Sequence, residues 1–414
     1  MKTITIHRVD SNQSIAPKAL EEVEVLGSGP RFTQSLPPLS LYVHVPWCVK
    51  KCPYCDFNSH ALQDGIPEER YLQALEADLI HHLPYIWGRT VHTVFIGGGT
   101  PSLLSAAAMD RLLSMLRNLL GLGPNIEITM EANPGAIEAD KFKEFAASGI
   151  NRLSLGIQSF NDQHLKLLGR VHDADKARRA IEIAQRYFER INLDLMFALP
   201  TQSLAEHRQD LLEALSYDTE HLSLYNLTLE PNTVFAKYPP KDLPDDELVD
   251  DMLDQNINLT AERGYEHYEV SAYAKSGAYA RHNTNYWQFG DYLGIGPGAH
   301  GKISFPDKIV RTVNQRSPEN WMANALKADG SHQVEWRELD AADIPFEFML
   351  NALRLREGVE QCLFAEHTGL SPFIMKKQLN QAIEKKLLED SALRYQPTDL
   401  GWRFLNDLQA IFLN

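Results

Sequence analysis

Cysteine is scarce in this chain, four residues in 414, so no disulfide framework builds the fold. Long apolar runs are missing as well. Nowhere does the sequence reach the roughly 18 consecutive apolar residues that a membrane-spanning helix needs. The first 36 residues contain no apolar h-region, which predicts that no secretory signal is present. Positive charge is in short supply: 40 Lys and Arg stand against 55 Asp and Glu, a formal net charge of −15. That balance argues against a general nucleic-acid binder, which carries a basic face. Together these absences predict a soluble, cytoplasmic protein with no nucleic-acid partner.

Apolar residues make up 44% of the chain, ample for a large core. The length exceeds one average domain and predicts two or three. From Leu41 onward the sequence falls into a rhythm. Short apolar, β-rich runs occur at LYVHVP (41–46), VHTVFIG (91–97), NIEITMEA (125–132), RLSLGIQ (152–158), INLDLMFA (191–198) and HLSLYNLTL (221–229). Segments of helical periodicity follow each of them, with Ser105 and Asp173 at N-cap positions and Gly149 and Gly264 at helix-ending positions. Strand then helix, six times over, implies parallel strands joined by right-handed crossovers. Six units are too few for a closed eightfold barrel. They predict an α/β fold, a partial (β/α)6 TIM-like barrel, with an open doubly wound sheet as the alternative.

In either architecture ligands gather at the carboxyl ends of the strands, and the polar and glycine-rich stretches lie there: the cysteines, GGGTP, EANP, GIQSF, ALP and LTLEP. Beyond Gly264 the rhythm breaks. YEHYEVSAYAK and the aromatic, glycine-rich stretch 282–301 show no helical period. From Pro345 several short amphipathic helices, a turn at SALRYQPT and a last helix GWRFLNDLQAIFL predict a small winged-helix-like module. Nine acids against eight basic residues there give it no basic recognition face. The expected organisation is an N-terminal extension (1–36), a barrel core (37–265), a β/loop extension (266–344) and the C-terminal module (345–414).

Three of the four cysteines, Cys48, Cys52 and Cys55, crowd into the run HVPWCVKKCPYCDFN directly after the first strand. Such clustering reads as metal binding in a reducing compartment. The spacing C-x3-C-x2-C supplies three thiolates to a [4Fe–4S] cubane. Such clusters are normally held by four, so one iron would stay open to an outside ligand. Cys362 stands alone and reads as a small buried hydrophobe. His44 reads as a partner of the cysteine-loop backbone rather than a metal ligand. The glycine triplet 97–99 with Thr100 reads as a bend whose backbone a ligand can approach.

The run LYVHVPWCVKKCPYCDFN resembles the signature of the radical S-adenosylmethionine (SAM) superfamily. Combined with GGGTPS, EANPG, GIQSF, LGR-H and HNxxYW it resembles the HemN/HemW group, over roughly residues 37–400. The likeness is nearer to the heme-chaperone branch than to the oxygen-independent coproporphyrinogen III oxidase branch. The resemblance implies that Cys48, Cys52 and Cys55 hold the cluster, whose open iron takes the amino and carboxylate groups of SAM. In radical SAM enzymes the cluster then supplies an electron that cleaves the sulfonium. The resemblance further implies SAM contacts at Tyr42, Tyr54, Gly98, Gly99, Thr100, Glu131, Gln158, Arg170 and Asp194, with Tyr54 beside the adenine and weaker contacts at Thr228 and His300. It makes His282, which opens HNTNYW, the heme ligand, with Tyr286 and Trp287 as flat faces for a porphyrin. The implied partners are heme and heme-requiring respiratory acceptors, with transient visits to the membrane surface and a homodimer as a compatible assembly. Two features depart from the oxidase pattern. Oxidase-type sequences carry a further cysteine just past the third ligand, where this chain has Asp56 followed by Phe57, and the Tyr-Pro-Thr-rich segment upstream of Tyr42 is missing.

Overall fold

The computed structural model describes residues 29–135 and 139–413, so most of the expected N-terminal extension (1–36) lies outside the described residues. Six parallel strands form the heart of the molecule: β1 (Leu39–Val45), β2 (Thr90–Gly98), β3 (Gly121–Ala132), β4 (Arg152–Gln158), β5 (Arg190–Phe197) and β6 (His221–Asn226). They pair in chain order. A sheet wound in one direction is barrel-like; a doubly wound sheet reverses its strand order. Helices α1 (Glu68–His82), α2 (Ala106–Leu119), α3 (Phe142–Ser148), α4 (Ala174–Tyr187), α5 (Leu204–Ser216) and α6 (Asp246–Glu262) follow the strands. The strands are nearly continuous apolar runs because both faces are covered; β1 is buried at every position except Tyr42. Ser105 caps α2 by accepting from the Ala108 N–H at 3.1 Å, and Asp173 caps α4 through the Lys176 N–H at 2.9 Å. Gly149 and Gly264 leave their helices with φ of 112° and 77°, as left-handed helix ends require.

The segment after Gly264 extends this sheet at both edges. A hairpin, β7 (Tyr265–Glu269) and β8 (Ala272–Lys275), adds antiparallel to β6. Strand β9 (Asp291–Ile295) then pairs parallel with β1, and β10 (His300–Phe305), β11 (Lys308–Asn314) and β12 (Gln333–Glu338) complete an antiparallel meander. The result is one 12-stranded sheet. Between the two edges lies a helix, α7 (Arg281–Trp287), where the sequence predicts irregular chain. Seven residues are too few to show a helical period, and the cap comes from elsewhere. The Glu127 carboxylate on β3 accepts from the backbone N–H groups of Arg281 (3.3 Å) and His282 (3.1 Å).

A second core lies around Phe348, Phe364, Tyr395 and Phe412 and reaches into the extension through Tyr268 and Phe289. It is built by α8 (Ile344–Ala352), α9 (Cys362–Thr368), α10 (Lys376–Glu384), α11 (Asp399–Arg403) and α12 (Leu405–Ala410), with a two-stranded ladder of Val359–Glu360 on Arg394–Tyr395. Short helices beside a small ladder match the expected winged-helix-like form. SALRYQPT carries a ladder strand, and the last helix is broken at Phe404. Cys362 is exposed, contrary to its reading as a buried hydrophobe. It lies two residues before the buried Phe364, about 200° around the helix from the core-facing side.

Helix α1 is pinned to the extension by a buried carboxylate. Asp78 accepts from the Gly296 N–H (2.9 Å) and the Asn314 amide (2.8 Å), and its other oxygen meets His332 Nε2 (3.0 Å) and His82 Nδ1 (3.2 Å). Burial alone would push this carboxyl up; hydrogen bonds from His332 and His82 outweigh it and hold it well below its ordinary 3.8. Burial likewise opposes charge on His82, but Asp78 holds that imidazole above its ordinary 6.5. The stability from Asp78 is therefore present above pH 3.8 and lost as pH falls below it, whereas that from His82 is present below pH 6.5 and lost as pH rises past it. Replacing Asp78 with Asn should cost about 3 kcal/mol at pH 7, because the buried His332 and His82 then lose their charged acceptor and face an amide NH2. Urea unfolding across pH checks this, with the variant expected to lack the wild type's acid-labile margin. Matching profiles for the two proteins would contradict the assignment.

Candidate cluster and cofactor site

The cysteine loop leaves the carboxyl end of β1 and is closed at its base, where Trp47–Cys48 runs parallel to His60–Ala61. Inside the loop the Cys55 N–H donates to the Cys52 carbonyl (3.2 Å) and Lys51 Nζ to the Phe57 carbonyl (3.0 Å). Outside it, Asn58 Nδ2 donates to the carbonyls of Pro297 and Arg316, both at 2.9 Å. His44 binds the loop backbone as expected, its Nε2 lying 2.9 Å from the Asn58 carbonyl.

Cys48, Cys52 and Cys55 are free, half-buried thiols on the wall of a cavity of about 450 Å³. The Thr100 hydroxyl points at Cys48 Sγ (3.5 Å), Arg170 at Cys52 Sγ (3.6 Å), and the Ser59 hydroxyl lies 3.8 Å from Cys55 Sγ. Burial pushes the Cys48 and Cys55 thiols up; a coordinated metal reverses this by deprotonating its thiols outright. The donor set fits an iron–sulfur cluster: three soft sulfurs converge on one cavity, with hydrogen-bond donors behind them.

Tyr54, Gly98, Gly99, Thr100, Glu131, Gln158, Arg170 and Asp194 line this same cavity, and so does Thr228. At one end Tyr54 packs with Leu168, Met196, Leu227 and Phe235, an apolar pad that suits a flat ring. Arg170 is half-buried; its Nη2 reaches Asn133 Oδ1 (2.6 Å) and the Gly156 carbonyl (2.8 Å), while its buried Nε has no partner among the described residues. The carboxyl of Asp194 is raised by burial, although Ser154 and Asn192 donate to it at 2.9 and 2.8 Å. Glu131 is pushed up to about 7 by burial, with Asp194 adding to the effect. Gln158 closes β4 with a φ of 67°, a left-handed conformation that non-glycine residues hold at some cost.

The glycine triplet serves a packing need beside the one its sequence suggests. A Cβ on Gly99 would lie 2.6 Å from the Trp47 carbonyl, and one on Gly98 would overlap the His44 ring. The missing side chains therefore admit β1, and the cavity meets the opposite side of the bend. Asn133 was not singled out from the sequence, although it sits in EANP. It donates to the Thr100 hydroxyl (3.0 Å) while holding Arg170, and so ties the ends of β2 and β3 to the guanidinium. The positions of Tyr225 and Asn226 on the wall had no sequence signal beyond the end of β6.

Tyr42 is not on this wall. It lines an adjoining cavity of about 520 Å³, with its hydroxyl 2.9 Å from His44 Nδ1 and its ring stacked near Phe95. The two cavities share Asp56, Phe57, Gly98 and Glu131. Phe57 is 57% exposed, a large apolar ring on the common rim. His282, Tyr286 and His300 also line the second cavity. His282 is only 1% exposed, and both of its ring nitrogens are engaged, Nδ1 by Thr93 Oγ1 and Nε2 by the Tyr286 hydroxyl, each at 2.8 Å. Trp287 turns the other way and stacks under Arg354, whose guanidinium lies 4.3 Å from its ring centroid, so it offers this cavity no face.

Comparisons with known proteins agree with this fold. The radical SAM superfamily model matches residues 42–215, and the HemN C-terminal domain matches residues 339–404. The heme chaperone HemW of Escherichia coli is 49% identical over 380 residues, covering 91% of this chain and 99% of the relative. Its Bacillus subtilis counterpart is 35% identical, covering 90% and 99%. The mouse protein called radical S-adenosyl methionine domain-containing protein 1, mitochondrial, is 38% identical, covering 94% and 90%. The solved structure of coproporphyrinogen III oxidase (HemN) from Escherichia coli superposes with a TM-score of 0.77 at 25% identity, covering 91% of this chain and 90% of that one. Likeness of this extent is decisive: the chain belongs to the HemW family of the radical SAM superfamily.

Proposed function

We propose that this protein takes up heme and hands it to heme-requiring respiratory proteins, while Cys48, Cys52 and Cys55 hold a [4Fe–4S] cluster whose open iron accepts an exchangeable SAM. The observation that carries the reading is the likeness, over nine-tenths of the chain, to proteins named heme chaperones. Within it the barrel core is assigned to 37–265, the extension to 266–344 and the C-terminal module to 345–414. No described helix is long and apolar enough to cross a membrane; the proposed contact with membrane-bound acceptors is a transient visit to the membrane surface.

When bound, the cluster supplies an iron coordination site and an electron. The chain's own residues do the rest. Arg170 sets a fixed positive charge beside Cys52, suited to a carboxylate. Glu131 and Asp194 are acceptors for an ammonium or for ribose hydroxyls. Tyr54 and its apolar pad take the adenine. Tyr42 acts from the second cavity through His44, which in turn holds the cysteine loop. Heme, the cargo, is assigned to the second cavity, where α7 presents His282 and Tyr286.

The likeness to coproporphyrinogen III oxidase favours a second reading, a radical SAM enzyme acting on a tetrapyrrole. Against it stands the stretch just past Cys55, where oxidase-type sequences carry a further cysteine and this chain has Asp56 followed by Phe57, an exposed ring on the cavity rim.

Oxygen-free reconstitution with iron and sulfide should give the broad absorption of a cubane, and Cys52→Ala should lose most of it; an unchanged spectrum in the variant would remove the ligand assignment. Titrating heme into the reconstituted wild type should give a saturable Soret change. If no such change occurs, the carrier reading fails. Supplied with reductant, SAM and coproporphyrinogen III, the protein should form no decarboxylated product beside an active control oxidase, and product formation would favour the oxidase reading instead.

A further inference from the structure

With Thr93 as donor to Ser40, the hydrogen bonds around His282 suit the tautomer that carries its proton on Nδ1. Thr93 donates its hydroxyl hydrogen to Ser40 Oγ at 2.8 Å, so toward His282 that hydroxyl accepts, and Nδ1 carries the hydrogen. Nε2 is then left with its lone pair, into which the Tyr286 hydroxyl donates. Burial keeps both groups in these forms. It pushes the imidazole down to about 3, with nearby Arg152 adding to the effect, and it pushes the phenol up, with Tyr292 and Tyr42 adding to it.

A metal-binding histidine characteristically donates its other ring N–H to a fixed acceptor, which sets the tautomer and raises the basicity of the ligating nitrogen. His282 has that arrangement through Thr93 and Ser40. What occupies its ligating lone pair is a phenol four residues on, one helical turn along α7. That phenol has room to leave. Tyr286 also borders a smaller cavity of about 210 Å³ shared with Lys302 and with Tyr292, which lines both cavities.

We propose that Tyr286 is a built-in competitor for the iron-binding nitrogen of His282: heme iron takes Nε2 only when the Tyr286 hydroxyl turns away toward the smaller cavity, and the returning hydroxyl helps the iron leave. This rests on the carrier reading and deepens it. A carrier must release what it binds, and a competing hydrogen bond lowers affinity by the free energy needed to break it. The exchange is balanced. One hydrogen bond and its lone pair give way to one nitrogen–iron bond, with no proton or electron lost, because Nδ1 keeps its hydrogen throughout.

The test is heme titration followed by absorption and electron paramagnetic resonance, on reconstituted wild type, Tyr286→Phe and His282→Ala. Release is then followed by capture with excess apomyoglobin. Phenylalanine keeps the ring and removes only the competing hydroxyl, so Tyr286→Phe should bind heme about tenfold more tightly, the effect of one net hydrogen bond. It should show the wild type's imidazole-ligated spectrum and release heme to apomyoglobin more slowly. His282→Ala should lose that spectrum and regain it when free imidazole is added. Equal or weaker binding by Tyr286→Phe overturns the competitor. An imidazole-ligated spectrum that survives in His282→Ala passes the iron to His300, the exposed imidazole on the same wall, and overturns it too. If the wild type takes up no heme at all, the carrier reading falls and this inference falls with it, whereas uptake with an unaltered Tyr286→Phe removes the inference alone.

Discussion

His44 lies where three backbone turns close on one side chain and its own peptide. Gly98 at the end of β2 faces the imidazole, and a Cβ there would overlap the ring. A Cβ on Gly296, after β9, would lie 2.5 Å from the His44 carbonyl. The ring itself joins the Tyr42 hydroxyl to the Asn58 carbonyl. Gly98 and Gly296 have φ of 109° and 103°, a region open to glycine and strained for other residues. This close approach fixes the cysteine loop relative to the barrel rim. The position of the three sulfurs, the bend above them and the wall between the two cavities all depend on it.

That wall gives the molecule its functional logic. One cavity carries sulfur, guanidinium and carboxyl groups; the other is lined by tyrosines and histidines and bounded by α7. Phe57, Gly98 and Glu131 belong to both. Glu131 accepts from the Gly98 N–H at 2.9 Å and is pushed by burial to about 7, so its charge responds to what lies on either side. On the proposed reading, SAM and heme meet opposite faces of the same few residues.

Much of this was legible in the sequence because it is local. The six strands, the caps at Ser105 and Asp173 and the helix-ending glycines are written in short-range patterning, and the cysteine spacing lies in one loop. What was hidden depends on contacts between distant segments. Helix α7 owes its start to Glu127, more than 150 residues earlier in the chain. The strands after Gly264 read as an appendix, yet they dress both edges of the barrel sheet, because edge pairing leaves no mark on the strand that receives it. That Tyr42 lines the second cavity was hidden too; which side of a barrel wall an inward side chain faces depends on its neighbours, here Phe95 and His44. The engagement of both nitrogens of His282 and the turning of Trp287 toward Arg354 lay equally beyond a reading of HNTNYW as a motif.

The central claim is that three protein sulfurs hold a cubane and leave one iron vertex for a small molecule. Mössbauer spectroscopy of iron-57-reconstituted protein, with and without SAM, addresses it directly. The account predicts that about one iron in four changes its signal on SAM addition while the other three stay put. Four irons that respond alike, or a spectrum indifferent to SAM, would contradict it.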